Sequence, residues 1–187
     1  MNAISKSPHW YQSRLRLIGW AAALALLSLP AVAMQAGAEG VDWSITDFLL
    51  FGTMLLVLGL GLEFAARRSG DMSYRAAAAI ALFGNFFLFW ANAAVGIIGP
   101  ESSAPNLLFL LLPLIGAGAA LATRGAPRAM AKAMVASAVV QGGIGLFALL
   151  MATASGTGSF RPVMIVTALF VLLWLASAAL FSRAARA

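Results

Sequence analysis

Six long apolar runs, at about 14–35, 44–66, 74–98, 105–123, 129–153 and 162–182, alternate with short polar stretches along the whole chain. A helix crosses about 30 Å of hydrocarbon with about 20 apolar residues, each rising about 1.5 Å. In that medium a backbone N–H or C=O finds no water, so each segment must satisfy its own backbone. Every run is therefore predicted to be a transmembrane helix. The connections are only about 5–10 residues long, which leaves no room for an inserted soluble domain. The pattern predicts an all-α fold: one integral membrane helical bundle occupying residues 1–187.

Composition agrees with the pattern. The chain is 62% hydrophobic and 10% charged, against about 25% charged in an ordinary soluble domain. Its net charge of +6 raises nucleic acid as a partner, but the basic residues flank apolar runs in twos and threes without interleaved aromatics. They read instead as topology signals facing anionic lipid. There is no cysteine and one histidine, His9. That removes disulfides, thiolate chemistry, a bis-histidine haem within one chain and a His-rich metal site. No cofactor is expected.

The placement of charge sets the topology. Lys6, Arg14 and Arg16 precede the first span, Arg67, Arg68 and Arg75 surround the second connection, Arg124, Arg128 and Lys132 the fourth, and Arg183 and Arg186 follow the sixth span. With six spans all eleven lie on one side. The opposite connections carry Arg161 and the acids Glu39, Asp42, Asp47 and Glu101. Basic residues mark the cytoplasmic side, so both termini are expected there. An added or missing internal span would break this alternation. The first run also has the form of a signal peptide: a basic start, the apolar stretch 17–29 and an Ala31-Val-Ala33 ending. Cleavage after Ala33 would leave five spans, whereas apolar character continuing to about Ala38 favours a retained helix. Trp10, Tyr11, Trp43 and Tyr74 sit at run ends, where amphipathic rings prefer the headgroup level.

Candidate chemistry is sparse. Asn85 and Asn92 in the third run are two helical turns apart and share a face, which Gly96 and Gly99 extend. In the fifth run Ser137 and Gln141 are one turn apart. Together the four would make a polar seam between helices three and five, and two readings stay open. They are either interhelical glue, worth about 0.6–2 kcal/mol per contact, or the lining of a solute path. Glu63, the acid inside a span, can pair with Arg67 at i,i+4 or serve proton transfer. Ser44 and Asp47 have the spacing of a capping box. The hairpin holding Glu101 and Asn106 is expected on the outer face, as a tight turn or a recognition point. Pro113 in the fourth run predicts a kink that frees the Phe109 carbonyl. The Gly-x-Gly pairs, such as Gly59/Gly61, lack the context of a nucleotide site, and no catalytic set is present.

The stretch Trp90-Ala-Asn-Ala-Ala-Val-Gly-Ile-Ile-Gly-Pro-Glu-Ser-Ser-Ala-Pro-Asn106, with Leu29-Pro-Ala-Val-Ala-Met34 and Trp43-Ser-Ile-Thr-Asp-Phe48, resembles a family of small polytopic bacterial inner-membrane proteins with no assigned activity. The resemblance covers the chain from about Arg14 onward and implies a retained first helix. The expected function is a non-enzymatic accessory, assembly or self-associating membrane subunit. The alternative is a small-solute or ion permease using the polar residues of helices three and five. Expected partners are the lipid bilayer and another membrane protein or a second copy.

Overall fold

The computed structural model describes residues 9–98, 103–155 and 161–187. Among them every regular element is helical: α1 (His9–Gln35), α2 (Ile45–Arg68), α3 (Met72–Val95), a 3₁₀ segment (Ala104–Leu110) leading into α4 (Leu111–Thr123), α5 (Pro127–Ser155) and α6 (Arg161–Ala184). Six helices are long and apolar enough to cross a membrane, the 3₁₀ segment and α4 together making one of them. This is a multi-pass helical architecture, as the apolar runs predict. The chain divides into two compact units, residues 1–60 and 61–187.

In the first unit α1 and α2 run antiparallel and mesh at two heptad-spaced points. Trp20 lies over Gly59, where an added Cβ would come within 2.7 Å of the indole, and Leu27 lies over Gly52. α1 continues without a break through Pro30, although proline gives no N–H to the helix ladder. The start of α2 is a capping box. The Ser44 N–H and hydroxyl both donate to the Asp47 carboxylate at 2.8 Å, and the Asp47 N–H returns a bond to the Ser44 Oγ at 3.3 Å. Trp43 packs edge-on against Phe48 and Phe51 beside this cap.

In the second unit α6 is the shared element, packed extensively against both α3 and α5, with α4 on the other side of α5. The buried face of α3 reads Tyr74, Ala77, Ala78, Ala81 and Leu88, and that of α6 reads Thr167, Phe170, Trp174, Ser177, Ala178 and Phe181. Both have the three-and-four spacing of a helix stripe. Small residues on the neighbours admit large ones from α6. Gly84 makes room for the Trp174 indole, and Gly145 for Thr167, whose Cγ2 would lie 2.4 Å from any Cβ added there. The Ser177 hydroxyl donates to the Ala77 carbonyl at 2.8 Å.

At one end of this unit, polar contacts tie the connections together. Asp71 caps α3 by accepting the Tyr74 N–H. The Tyr74 hydroxyl donates to the Gly125 carbonyl at 2.8 Å, and Arg68 Nε donates to the Arg124 carbonyl at 2.6 Å. Gly125 has a φ of +70°, and a Cβ there would strike the tyrosine oxygen, so the turn needs glycine twice over. Tyr74 is thus buried in protein instead of sitting as a headgroup-level marker.

Pro113 does not kink a long helix. The first third of the fourth span is 3₁₀, and Pro113 falls in the first turn of α4, where N–H groups have no intrahelical partner anyway. The Phe109 carbonyl, denied a Pro113 donor, receives the Leu111 N–H. The switch also adds length. Thirteen α residues reach only about 20 Å, but seven 3₁₀ residues at about 2.0 Å each bring the span to about 33 Å.

Gly145→Ala is expected to lower stability by about 1–3 kcal/mol through overpacking against the β-branched Thr167, with part of the loss recovered in Gly145→Ala/Thr167→Ala. Unfolding in mixed detergent micelles measures both, and an unchanged single variant would contradict this packing.

Candidate functional site

The polar residues singled out above fall into three separate environments. The first surrounds Asn106, which is 3% exposed and so does not present its amide at a surface as the hairpin reading expects. Pro105 starts the 3₁₀ segment after Ser103, and the Asn106 N–H closes that turn onto the Ser103 carbonyl at 3.0 Å. This holds the side chain against the end of α3. Its Oδ1 accepts the Ile97 N–H at 3.2 Å and the Ile98 N–H at 2.9 Å, and its backbone carbonyl accepts Asn92 Nδ2 at 3.1 Å. α3 ends at Gly96, at a φ of +67°, with the Gly96 N–H on the Asn92 carbonyl. Asn92 and Asn106 thus close the chain reversal between the third and fourth spans. Glu101 lies outside the described residues.

The second environment is the interior of α3–α6. Asn85 is half-buried, and its Nδ2 donates to the Ala81 carbonyl of its own helix at 2.9 Å. Gln141 is 0% exposed and Ser137 1%. At such exposure no water-sized space adjoins either side chain. α3 and α5 share no extensive contact, and each packs on α6; the direct seam expected between Asn85, Asn92, Ser137 and Gln141 does not form as hydrogen bonds. Among the described residues the Gln141 amide, the Ser137 hydroxyl, the Trp174 indole nitrogen and the Oδ1 atoms of Asn85 and Asn92 are buried without a hydrogen-bond partner. Each such group costs about 1–3 kcal/mol relative to a satisfied one.

The third environment is the end of α2. Glu63 accepts from Arg67 at 2.8 Å, across one helical turn, as the i,i+4 spacing anticipates. Arg75 caps the same helix end, donating to the carbonyls of Ala66 and Ser69. Glu63 meets its cation at the edge of the span, and among the described residues there is no cluster of three His, Cys, Asp or Glu suited to a metal ion.

Sequence reasoning missed Ser177 and Thr167, which carry the helix-to-helix contacts of α6. Their signal was available in the apolar run: both are small hydroxyl residues on the Phe170–Trp174–Phe181 face.

Two substitutions separate the environments. Asn106→Ala leaves the part-buried N–H of Ile97 and the buried N–H of Ile98 without an acceptor and is expected to lower stability by about 2–4 kcal/mol. Gln141→Met removes an unsatisfied amide while keeping its volume and is expected to be neutral or stabilising. Thermal unfolding in detergent distinguishes them, and a large loss in Gln141→Met would show that the amide has a partner.

No family model, curated protein or solved structure matches this chain.

Proposed function

We propose that this chain is a non-enzymatic integral membrane subunit that works by associating with a second copy or another membrane protein in a bacterial inner membrane, with both termini in the cytoplasm. The observation that carries this reading is the dry environment of Gln141 and Ser137, which are 0% and 1% exposed. A permease path along helices three and five needs those groups at water, and α3 and α5 share no extensive contact, each packing on α6 instead. The one-sided basic residues support the orientation. The first unit supports association: none of the α1 span and 11% of the α2 span is buried, leaving long helix faces for lipid or a partner. With α1 packed on Gly59 and Gly52 of α2, the reading takes the first helix as retained.

A specific observation keeps permease as the second reading. The Gln141 amide has both its nitrogen and its oxygen unbonded, which inert packing normally avoids.

Purification in mild detergent followed by native mass spectrometry is expected to find the chain, including its first helix, with a second copy or a distinct membrane protein. Vesicles containing the purified protein are expected to show no protein-dependent flux of small polar solutes or ions, and a cysteine introduced at Ser69 should label from the cytoplasmic side only. A lone monomer whose vesicles pass a solute, with the flux lost in Gln141→Met, would replace this reading by the permease.

A further inference from the structure

The cationic side chains of this protein are not equivalent. Arg67 is paired with Glu63, Arg68 reaches the Arg124 carbonyl, and Arg75 caps the end of α2. Arg128, Lys132 and Arg186 make no such side-chain contact to described residues. No Asp or Glu follows Glu101 in the sequence either. Yet the fold gathers these three at one place. Arg128 and Lys132 are one turn apart at the start of α5, Arg186 follows the end of α6, and all three line an open cleft of about 500 Å³ between the two helices. Three like charges around one cleft repel one another unless an anion enters it.

The remaining lining identifies the anion's attached group. Ala131, Val135 and Ala185 form an apolar floor, with Ser182 as the uncharged hydrogen-bonding side chain. From Arg128 and Lys132 the same face of α5 continues through Val135, Val139 and Leu146, all exposed apolar side chains, at three- and four-residue steps or their multiples. A charged head followed by an uninterrupted apolar lane along a membrane-spanning helix is complementary to an amphiphile with a phosphate at one end. A free phosphate would use the cations and leave the lane idle.

We propose that the cleft between the start of α5 and the end of α6 is a binding site for an anionic phospholipid, its phosphate held by Arg128, Lys132 and Arg186 and an acyl chain lying along Val135 and Val139. Such a site anchors the α5–α6 pair at the cytoplasmic headgroup level, where anionic lipid is attracted by basic side chains. The side rests on the proposed orientation, but the site is independent of whether the chain associates or transports.

The test uses the full chain in neutral detergent, titrated with phosphatidylglycerol, phosphatidylcholine or inorganic phosphate and read by retained lipid in native mass spectrometry and by melting temperature. Phosphatidylglycerol is expected to be retained and to raise the melting temperature, with phosphatidylcholine and inorganic phosphate much weaker. Each charge removed should weaken phosphatidylglycerol binding roughly fivefold, and Arg128→Gln/Lys132→Gln/Arg186→Gln on the order of a hundredfold. Arg161→Gln removes charge at the opposite end of α6 and should leave binding unchanged. Should the triple variant fail to fold, Lys132→Gln, at an exposed position, carries the comparison against Lys132→Arg, which should retain binding. Equal binding by the triple variant, equal loss in the Arg161→Gln variant, or an effect of inorganic phosphate matching that of the lipid would each overturn the proposal.

Discussion

The second unit depends on how closely α6 can approach its two neighbours. Apolar side chains gain nothing by leaving lipid for one another, so helices in hydrocarbon are held by van der Waals fit and a few interhelical hydrogen bonds. α6 supplies the bulk, in Phe170, Trp174 and Phe181, and α3 and α5 supply the space, in Gly84, Ala77 and Gly145. Phe170 stacks on Trp174, and Phe181 meets Tyr74 edge-on with ring centroids 5.1 Å apart. The Ser177–Ala77 hydrogen bond fixes the register of this contact. Because α6 packs on both α3 and α5, it also limits what the polar residues of those helices can reach.

That placement changes the meaning of the amides. Asn85 and Asn92 share a face of α3 in the sequence, but they serve different ends of a packing problem. Asn85 turns back on its own helix, and Asn92 helps Asn106 close the reversal into the fourth span. Gln141 and Ser137 remain enclosed without partners, a local tension in an otherwise apolar interior. Polar side chains in a membrane interior are expensive and often functional, and here they are distributed over separate environments rather than aligned in one path.

Much of the architecture was legible in the chain. The span boundaries, the Ser44–Asp47 cap and the Glu63–Arg67 pair all follow from spacing along one helix, which is local information. What could not be read is what depends on a neighbour. Tyr74 looks like a headgroup marker until the α4–α5 turn arrives to accept its hydroxyl. Pro113 looks like a mid-helix kink until the 3₁₀ segment before it shifts the helix start to Leu111. Asn106 looks like a surface residue in a polar hairpin, yet two backbone N–H groups at the end of α3 need an acceptor and draw it inward. The basic residues show the same division: their side of the membrane was read from counting, but the grouping of Arg128 and Lys132 with Arg186, more than fifty residues further along the chain, needed the fold.

The packing of α5 and α6 encloses Gln141 completely, which requires a dry, closed interior around it. The chain has no cysteine of its own, so a single cysteine at position 141 reports on that position alone. In vesicles of the intact protein, Gln141→Cys should resist a small, water-soluble thiol reagent applied from both sides and react only after unfolding. Ready modification in the folded protein, at a rate near that of an exposed loop cysteine, would place water at position 141 and contradict the account.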